Sequence, residues 1–485
     1  MIERNRMLFQ DLVQGQFGRK IAYYNAEQIT ADNVVKACAK AVTVLNENRS
    51  AIRYLWNYYK GDQPIRYRQK MVRDDICNRI VENHAYEVVQ FKVGQTYGEP
   101  VQCVSRSDKD EINVAVDKLN DYLKDANKQT KDIECGEWQS AVGFGYKAIF
   151  DKKDDNAEVP FGIVTPDPMN TVILYSSTTK EPLMAVQQLK DEDDVPYYQC
   201  YLPTMECKIR DSKVIGGGLT PHAFGGIPIV EYPNNSTRIS DIELIIDILD
   251  ALNNMQSNRM DSVEQFVQFC MVFTNCEVDD KAIKNLSQTG AIALKTNNKD
   301  NKASFDIIDT QLNQTESQVA KQDLWDNALK ISAIPNKQGG TGGDSQGAVE
   351  LRNGWDFSKN RAKLKDPFVA EAEKRLCKSA LNIIRIRKGE NDCPITTSDF
   401  DIQINHSPTD NMIIKCQALQ YLRDCGIHTL VAIKTIGLWG DAEKVYMLSK
   451  EYIDAIWPKI PNADEEQKKA EKLLSEYSER LKEKE

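Results

Sequence analysis

The most informative part of the chain is residues 240–270, which read SDIELIIDILDALNNMQSNRMDSVEQFVQFC. Apolar side chains recur there every three or four positions, which is the period of an amphipathic helix. Ser240 and Glu243 have the spacing of a capping box, in which two side chains bond backbone N–H groups at a helix start. The pattern predicts one helix over 240–270, about 45 Å long. Such a length is more typical of an elongated assembly than of a compact globule.

A second helix and a small module are predicted directly after this helix. Helical spacing of apolar side chains resumes over 313–333 and ends before Pro335. Residues 271–312 are mixed in character, and the apolar runs 291–294 and 305–308 predict two strands there. Two helices therefore bracket a small inserted module.

A glycine-rich segment follows the second helix. Residues 336–347 read NKQGGTGGDSQG and are predicted to be the most flexible part of the chain. Lys337 is the only charged donor before Asp344, so the segment carries little positive charge. A third long helix is predicted over 348–388, with an irregularity near Pro367 because proline removes an intrahelical hydrogen bond.

Helical and strand patterns divide the rest of the chain. The predicted N-terminal helices are 31–60, 78–94 and 110–141. Short alternating or β-branched runs between 143 and 232 predict an antiparallel meander. Its predicted strands are 147–150, 171–175, 184–189, 197–202 and 207–209. A last strand is predicted at 399–405, and the region after it is predicted to be helical and to end in the charged run 464–485. Together these patterns predict an α+β fold, mainly helical, with its antiparallel β region in the N-terminal half.

The composition describes a folded protein with more than one structural module. The chain has 485 residues, of which 41% are hydrophobic and 28% charged. A single hydrophobic core stops growing well below this length. The formal net charge of −10 argues against a conventional high-affinity DNA-binding protein, because such proteins carry a basic excess. The charge is compatible with a conduit through which a duplex slides, since each Lys or Arg contact with a phosphate would hold the strand.

Cysteine and histidine spacing fits none of the common metal or disulfide patterns. The 12 cysteines contain no C-x-x-C pair, and none of the 4 histidines lies three or four residues from another. We therefore expect reduced, packed thiols, no zinc site and no cofactor. The N-terminus lacks the apolar core of a signal peptide, and no apolar run is long enough for a membrane span, so neither is expected.

Catalytic interpretations of the glycine-rich segment are weak. A Walker loop requires Gly-Lys-Ser or Gly-Lys-Thr, and neither occurs in the chain, which disfavours a packaging ATPase. Residues 343–347 (GDSQG) match G-x-S-x-G, and His406 and His428 follow in the chain order of a hydrolase triad. A nucleophile elbow needs a rigid strand before its serine, whereas Ser345 is approached through glycines. A flexible loop with a helix start at Ser345 is the favoured interpretation.

A basic, aromatic stretch follows the first predicted helix. It holds Arg66, Tyr67, Arg68, Lys70 and Arg73. Such a cluster can contact nucleic acid, but isolated basic clusters more commonly form a solvated or inter-subunit surface.

Several short motifs occur in a specific order along most of residues 50–440. The motifs are 58–61 (YYKG), 78–83 (NRIVEN), 94–101 (GQTYGEPV), 226–235 (GIPIVEYPNN), 247–253 (DILDALN) and 334–348 (IPNKQGGTGGDSQGA). Each motif is weak by itself. Their order and spacing together resemble the portal proteins of long-tailed bacteriophages, the siphophage portal family.

The resemblance implies a ring of twelve subunits with wing, stem, clip and crown regions. By this similarity the regions would be the wing (1–235 and 389–409), the stem helices (240–270 and 313–333), the clip (271–312), the tunnel loop (334–347), the tunnel helix (348–388) and the helical crown with its charged tail (410–485). The residues expected to face DNA in the tunnel loop are Lys337, Gln338, Gly339, Gly340, Thr341, Gly342, Gly343, Asp344, Ser345 and Gln346. The loop is richer in glycine than is usual for the family, which argues against a specific grip by its side chains.

The same resemblance implies the partners and the location of the protein. The ring would occupy one vertex of the virion capsid after assembly in the host cytoplasm, and double-stranded DNA would be packaged and ejected through it. Expected partners are other copies of the chain, the terminase large subunit, a head–tail adaptor, and the major capsid and scaffolding proteins, with no membrane. A bacterial source would also fit, because prophages carry such genes. The alternatives are a head–tail adaptor or minor capsid protein, which is usually shorter and lacks the helix–insertion–helix block, and a hydrolase using residues 343–347.

Overall fold

The computed structural model describes most of the chain, which divides into two compact units, residues 1–406 and residues 407–485. The described residues are Phe9, 16–71, 74–107, 109–152, 157–267, 270–274, 276–277, 295–296, 304–308, 314–336, 354–406, 412–436 and 442–456. Within these ranges, no helix is long and apolar enough to cross a membrane.

Helices make up much of both units. Those of the first unit are α1 (Val34–Tyr59), α2 (His84–Tyr97), α3 (Asp110–Asp125), α4 (Lys128–Val142), α5 (Ile246–Val267), α6 (Gln314–Ser332), α7 (Trp355–Lys363) and α8 (Asp366–Lys388), with a short 3-10 helix at Pro64–Tyr67. Those of the second unit are α9 (Met412–Asp424), α10 (Thr429–Ile436) and α11 (Ala442–Ile456). The helices predicted at 31–60 and 313–333 are confirmed as α1 and α6.

The described strands all lie in the first unit. They are β1 (Ala22–Tyr24), β2 (Gln102–Ser105), β3 (Phe144–Asp151), β4 (Phe161–Val164), β5 (Thr171–Ser176), β6 (Pro182–Lys190), β7 (Pro196–Tyr201), β8 (Met205–Arg210), β9 (Lys213–Pro221), β10 (Ile229–Pro233), β11 (Cys270–Thr274), β12 (Cys276–Glu277), β13 (Lys295–Thr296), β14 (Ser304–Ile308) and β15 (Phe400–Gln403). The α+β class with antiparallel sheets is therefore confirmed.

The strands pair into separate sheets. The largest has the order β1-β5-β6-β7-β8-β9, in which β1 is parallel to β5 and all other neighbours are antiparallel. A three-stranded antiparallel sheet has the order β10-β3-β4. Shorter antiparallel pairs join β15 to β2, β11 to β14, and β12 to β13.

The single meander predicted between 143 and 232 is wrong in one respect. Strands β5 to β9 do form a meander, but β3 belongs to the three-stranded sheet. Both edges of β3 are occupied, by β10 and by β4, so no edge is left for β5. Strands β1, β4 and β9 are among those that the sequence patterns did not predict. Strands β1 and β4 are short, and β9 contains three consecutive glycines at 216–218, which weaken a strand pattern.

Two predicted N-terminal helices need correction. The helix predicted from 78 begins only at His84, because residues 78–83 bond to side chains of α5 instead of to each other. The helix predicted over 110–141 is two helices, α3 and α4. Asn127 separates them with a φ of 55°, a left-handed conformation that ends a helix.

The long helix predicted over 240–270 is shorter at both ends. Residues 241–245 form tight turns, with the N–H of Ile245 bonded to the carbonyl of Ile242 at 3.1 Å, and regular helix begins at Ile246. At the other end Cys270 already belongs to strand β11. The capping-box pair acts on the turn that leads into the helix, since Ser240 N–H donates to Glu243 Oε2 at 2.8 Å.

The predictions for the C-terminal part of the chain are largely confirmed. The irregularity near Pro367 is the break between α7 and α8, and the predicted strand 399–405 is β15. In the inserted module, the strand predicted at 305–308 is β14. The strand predicted at 291–294, the start of the helix predicted from 348, and the charged run 464–485 lie outside the described residues.

Buried apolar side chains form three clusters among the described residues. One joins α1, α2, α4 and the start of α5, and includes Leu55. Another lies between α3, α8 and the three-stranded sheet, and includes Leu376. The remaining one lies between α1 and the six-stranded sheet, and includes Leu174. Because α1 contributes to two of them, it connects the sheet region with the helical region.

Candidate functional site

The glycine-rich segment predicted as the DNA-facing site lies outside the described residues. This holds for Lys337, Gln338, Gly339, Gly340, Thr341, Gly342, Gly343, Asp344, Ser345 and Gln346. The residues just before it are tied back to α6. Ala333 reverses the chain with a φ of 53°, the N–H of Ile334 donates to the carbonyl of Leu329 at 2.9 Å, and Asn336 Nδ2 donates to Asp326 Oδ1 at 3.0 Å.

The described residues bring three of the sequence motifs together on helix α5. Residues 58–61, 78–83 and 247–253 are far apart in the chain but are joined here by side-chain hydrogen bonds. We name this site the α5 junction. It consists of Tyr58, Gln63, Asn78, Glu82, Asn83, Asp250, Asn253, Ser257 and Asp261.

A polar stripe on α5 bonds the backbone of residues 78–83. The three bonds run from the N–H of Asn78 to Asp261 Oδ1 (2.7 Å), from the N–H of Ile80 to Ser257 Oγ (3.0 Å) and from the N–H of Glu82 to Asn253 Oδ1 (2.8 Å). Four helical residues rise about 6 Å, and two residues of an extended chain span roughly the same distance. The two repeats therefore match, and the segment follows the helix much as a strand follows a neighbouring strand.

A chain of buried amides connects this stripe to the end of α1. Asn253 Nδ2 donates to Gln63 Oε1 at 2.5 Å, and Gln63 Nε2 donates to Asn83 Oδ1 at 2.9 Å. Asn83 Nδ2 in turn donates to the carbonyl of Tyr59 at 2.9 Å. Gln63 is 1% exposed and Asn253 is fully buried, so each amide relies on these partners.

Asp261 anchors the basic stretch that follows α1. Its carboxylate pairs with Lys70 and with Arg68, the latter at 3.3 Å. Burial opposes ionisation of this carboxyl, but hydrogen bonds from Lys70 and Asn78 hold its pKa below the usual value. Arg66 Nε also donates within the chain, to the carbonyl of Gly61 at 2.7 Å. Arg66, Arg68 and Lys70 are thus engaged in contacts within the chain, while Arg66 and Tyr67 are also exposed to solvent. Arg73 lies outside the described residues.

Asp250 occupies the opposite, more apolar end of the junction. It accepts a hydrogen bond from Tyr58 Oη at 2.9 Å. Burial raises the pKa of Asp250 to about 6, and the neighbouring Asp247 adds to the rise while the Tyr58 bond opposes it. Burial likewise raises the pKa of Tyr58 well above its usual value.

Helices α5 and α6 are joined by further polar contacts. Lys321 on α6 donates to Glu82 Oε1 at 2.6 Å and to Gln256 Oε1 on α5 at 3.0 Å. Arg259 on α5 donates to Gln318 Oε1 on α6 at 2.7 Å. Lys321 thus connects both helices with the segment 78–83.

The start of α5 is tied to the N-terminal segment. Glu243 is fully buried and forms an ion pair with Arg19. The same carboxylate accepts from Gly18 N–H at 3.0 Å, and Ser240 Oγ donates to the carbonyl of Ala141 at 2.8 Å. The sequence motif recognised as a helix cap therefore also joins separate parts of the chain.

Helix α8 is held by a buried quartet of charges. Lys147 on β3 pairs with Asp132 on α4 and with Glu373 on α8. Lys128 completes the quartet, 2.6 Å from Asp132 and 3.3 Å from Glu373. Burial opposes ionisation of Glu373, but the two lysines hold its pKa below the usual value. Two cations and two carboxylates make the quartet neutral, which is what a buried charged group requires.

His406 does not have the geometry of a hydrolase base. Its Nε2 lies 2.9 Å from Asp366 Oδ2 and its Nδ1 lies 3.0 Å from the carbonyl of Gln95, so both ring nitrogens face acceptors. The hydrogen bond to Asp366 raises the pKa of His406. Because both ring nitrogens are engaged with acceptors, neither is free to take a proton from a serine. Ser345 itself lies outside the described residues.

Sequence reasoning missed most of the junction. Its motifs were recognised, but the contacts between them were not. A signal was present: Asn253, Ser257 and Asp261 recur at every fourth position, which places three polar groups on one face of the predicted helix.

The described fold is an α+β body in which a long helix is fixed by polar contacts to distant parts of the chain. A family model matches residues 41–429, and its family is described as Phage portal protein, SPP1 Gp6-like. The chain belongs to this family of bacteriophage structural proteins. No curated protein matches the chain.

Proposed function

We propose that the chain forms a ring at one vertex of a phage capsid, through which double-stranded DNA is packaged and later ejected. The observation that carries this proposal is the family match over residues 41–429 of 485. The braced pair α5 and α6 around a small β module supports it, because such a pair can extend from the body of a subunit without losing its orientation.

The regions of the portal follow from the family resemblance. Residues 1–235 and 389–409 form the wing, and the pairing of β15 with β2 supports the joining of these two distant ranges. Helices α5 and α6 form the stem, with the clip between them. Residues 334–347 form the tunnel loop, α8 with α7 the tunnel helix, and 410–485 the crown.

The proposed partners are those that a portal needs at each stage. Other copies of the chain close the ring, most simply as a dodecamer, through heterologous interfaces in which one face meets a different face of the neighbour. The major capsid and scaffolding proteins surround the ring in the host cytoplasm and the virion. The terminase large subunit and then a head–tail adaptor bind its outer end.

Negative-stain electron microscopy of the purified full-length chain tests ring formation. We expect rings with a central hole, and native mass spectrometry of the same sample gives the number of subunits. Compact monomers under all conditions would contradict the proposal.

We also propose that Lys337 makes a weak contact with DNA phosphates during packaging, because it is the only cation of the glycine-rich segment. We expect Lys337→Ala to lower the rate or yield of DNA packaging modestly, since it removes one phosphate contact per subunit, while rings still assemble. The matched control is Lys124→Ala, which removes an exposed lysine on α3. Packaging by Lys337→Ala at the level of the control would rule out a role for this lysine.

A further inference from the structure

A cavity of about 290 Å³ lies between four parts of the first unit. Its walls come from α2, the C-terminal end of α6, the α7–α8 connection and the turn at residues 234–241. This volume is at the lower end of the range for small-molecule sites. A guest would therefore be small.

The cavity carries a positive charge that the rest of the chain does not share. Lys92, Arg361 and Lys365 line it, and Asp241 is the only acidic residue among its lining residues. Three cations and one carboxylate give a local charge of +2, in a chain whose formal net charge is −10.

Asp241 cannot neutralise these cations by itself. Its carboxylate already accepts from Ser140 Oγ at 2.7 Å and from Asn234 Nδ2 at 3.1 Å. Lys365 Nζ lies 3.7 Å from it, at the edge of ion-pairing distance. Lys365 and Lys92 together hold the pKa of Asp241 below its usual value against the effect of burial, so this carboxylate is ionised and shared.

Lys92 is the most deeply buried of the three cations that line the cavity. It is 8% exposed, and no carboxylate among the described residues forms an ion pair with it. The Nζ atom of Lys92 lies over the ring of Phe91, 6.0 Å from the ring centroid. Burial lowers the pKa of Lys92 to about 8, with Asp241 opposing. A buried ammonium without a close counter-charge is costly, and an anionic guest would offset that cost.

The wall also contains polar atoms without a protein partner. Ser332 Oγ is buried, has no hydrogen-bond partner among the described residues and can donate to an anion. Gln95 Oε1 and Asn234 Oδ1 also have no partner there, but as acceptors they fit a water molecule or a protonated phosphate oxygen. Buried polar groups are normally satisfied, by protein or by an ordered guest or water. The wall is therefore a polar surface that is only partly saturated by the chain itself.

We propose that this cavity binds a small phosphate-type oxyanion, either inorganic phosphate or the phosphate group of a nucleotide. A phosphate carries about two negative charges at neutral pH, which matches the local charge of +2, and its oxygens can accept from several donors at once. The recessed position of Lys92 excludes the backbone of a DNA duplex. The inference does not depend on ring formation, so either can fail without the other.

Isothermal titration calorimetry of the full-length chain tests the site. The arms are sodium phosphate, a nucleoside monophosphate and a short DNA duplex, each at constant ionic strength balanced with chloride. The variants are Lys92→Met and Lys365→Met, and the control is Lys124→Met on the exposed face of α3. We expect both cavity variants to bind on the order of tenfold to a hundredfold more weakly, because each removes a charge-assisted contact, and the control to bind normally.

The three arms separate the possible ligands. Binding of inorganic phosphate, of the monophosphate or of both supports the proposal and shows which source the cavity accepts. Binding of neither by the unsubstituted chain, or equal binding by the cavity variants, overturns it. Binding of the duplex alone overturns it as well, because a small-oxyanion site would then be absent.

The unfolding temperature of each variant in phosphate-free buffer shows whether a loss of binding is caused by misfolding. We expect Lys92→Met to unfold at the same or a higher temperature than the unsubstituted chain in phosphate-free buffer, since it replaces a buried charge by an apolar side chain of similar length. We also expect phosphate to raise the unfolding temperature of the unsubstituted chain but not of this variant. A rise of equal size in both overturns the proposal.

Discussion

At the residue scale, the described buried charges show two solutions to the cost of burial. Glu243 and Glu373 are fully buried and are paired with cations. No cation among the described residues pairs with Asp250, whose carboxylate accepts one hydrogen bond from Tyr58. Burial therefore raises the pKa of Asp250 to about 6. The α5 junction thus contains one carboxyl that resists ionisation.

Asp250 makes the stability of the first unit dependent on pH. The pKa of this carboxyl rises from 3.8, its ordinary value in a solvated aspartate, to about 6 in the folded chain. Between these values the folded state holds a proton that the unfolded state has lost, so this contribution to stability falls as pH rises from about 4 to 6. We expect Asp250→Asn to stabilise the protein at pH 7 by about 1–3 kcal/mol and to remove this part of the pH dependence.

Urea unfolding at several pH values, followed by circular dichroism, checks this expectation. The control is Asp194→Asn, which changes an exposed carboxylate of the β6–β7 turn. Destabilisation by Asp250→Asn at pH 7 would mean that the ionised carboxylate is favoured in the folded chain.

At the element scale, α5 is positioned by its side-chain bonds to the backbone of residues 78–83. The polar stripe satisfies N–H groups that would otherwise be buried without partners. Unsatisfied buried donors cost about 1–3 kcal/mol each, so the stripe specifies the register of this segment along the helix.

Removing one amide of the stripe should weaken this register. We expect Asn253→Leu to destabilise the protein by about 2–4 kcal/mol, because it leaves the N–H of Glu82 and the Oε1 of Gln63 unpaired. Hydrogen exchange read by mass spectrometry should show faster exchange for peptides that contain residue 82. Asn254→Ala, at the exposed neighbouring position, should have little effect. Unchanged exchange in Asn253→Leu would show that the stripe does not hold the segment.

The buried charge quartet makes a similar prediction for α8. We expect Lys147→Met to cost about 3–5 kcal/mol, because Asp132 and Glu373 then share the single cation Lys128 and a negative charge is left buried. Thermal unfolding of the variant, compared with Lys40→Met at an exposed position of α1, measures the effect. A melting temperature equal to that of the control would mean that α8 is held by its apolar contacts alone.

At the scale of the whole molecule, the distribution of charge predicts weak binding of duplex DNA. The net charge is −10, and the described cations of the stretch after α1 are engaged within the chain. We expect the Kd for duplex DNA at physiological salt to exceed roughly 100 μM, which is weaker than the usual non-specific binding of DNA-binding proteins. We also expect this Kd to depend only weakly on salt concentration. Fluorescence anisotropy with a labelled duplex between about 50 and 200 mM salt checks this, and micromolar binding would contradict it.

Local patterns alone were sufficient for the class and for most elements of this protein. Helices α1 and α6, the break before α8 and strands β5 to β8 of the meander follow from periodicity, proline and turn residues, because these depend on neighbours in the sequence. The resemblance to portal proteins rests on short motifs in a set order, and the family match over residues 41–429 confirms it.

Only the tertiary structure decided where these elements meet. The late start of α2, the assignment of β3 to its own sheet and the engagement of Arg68 and Lys70 all arise from partners far away in the sequence or across a sheet edge. Hydrogen bonds and ion pairs form between groups that are close in the folded chain, and a local sequence pattern does not show which distant residues come close. For this reason residues 240–270 could be recognised as a long helix from sequence, whereas the polar junction along α5 emerged only once the chain was folded.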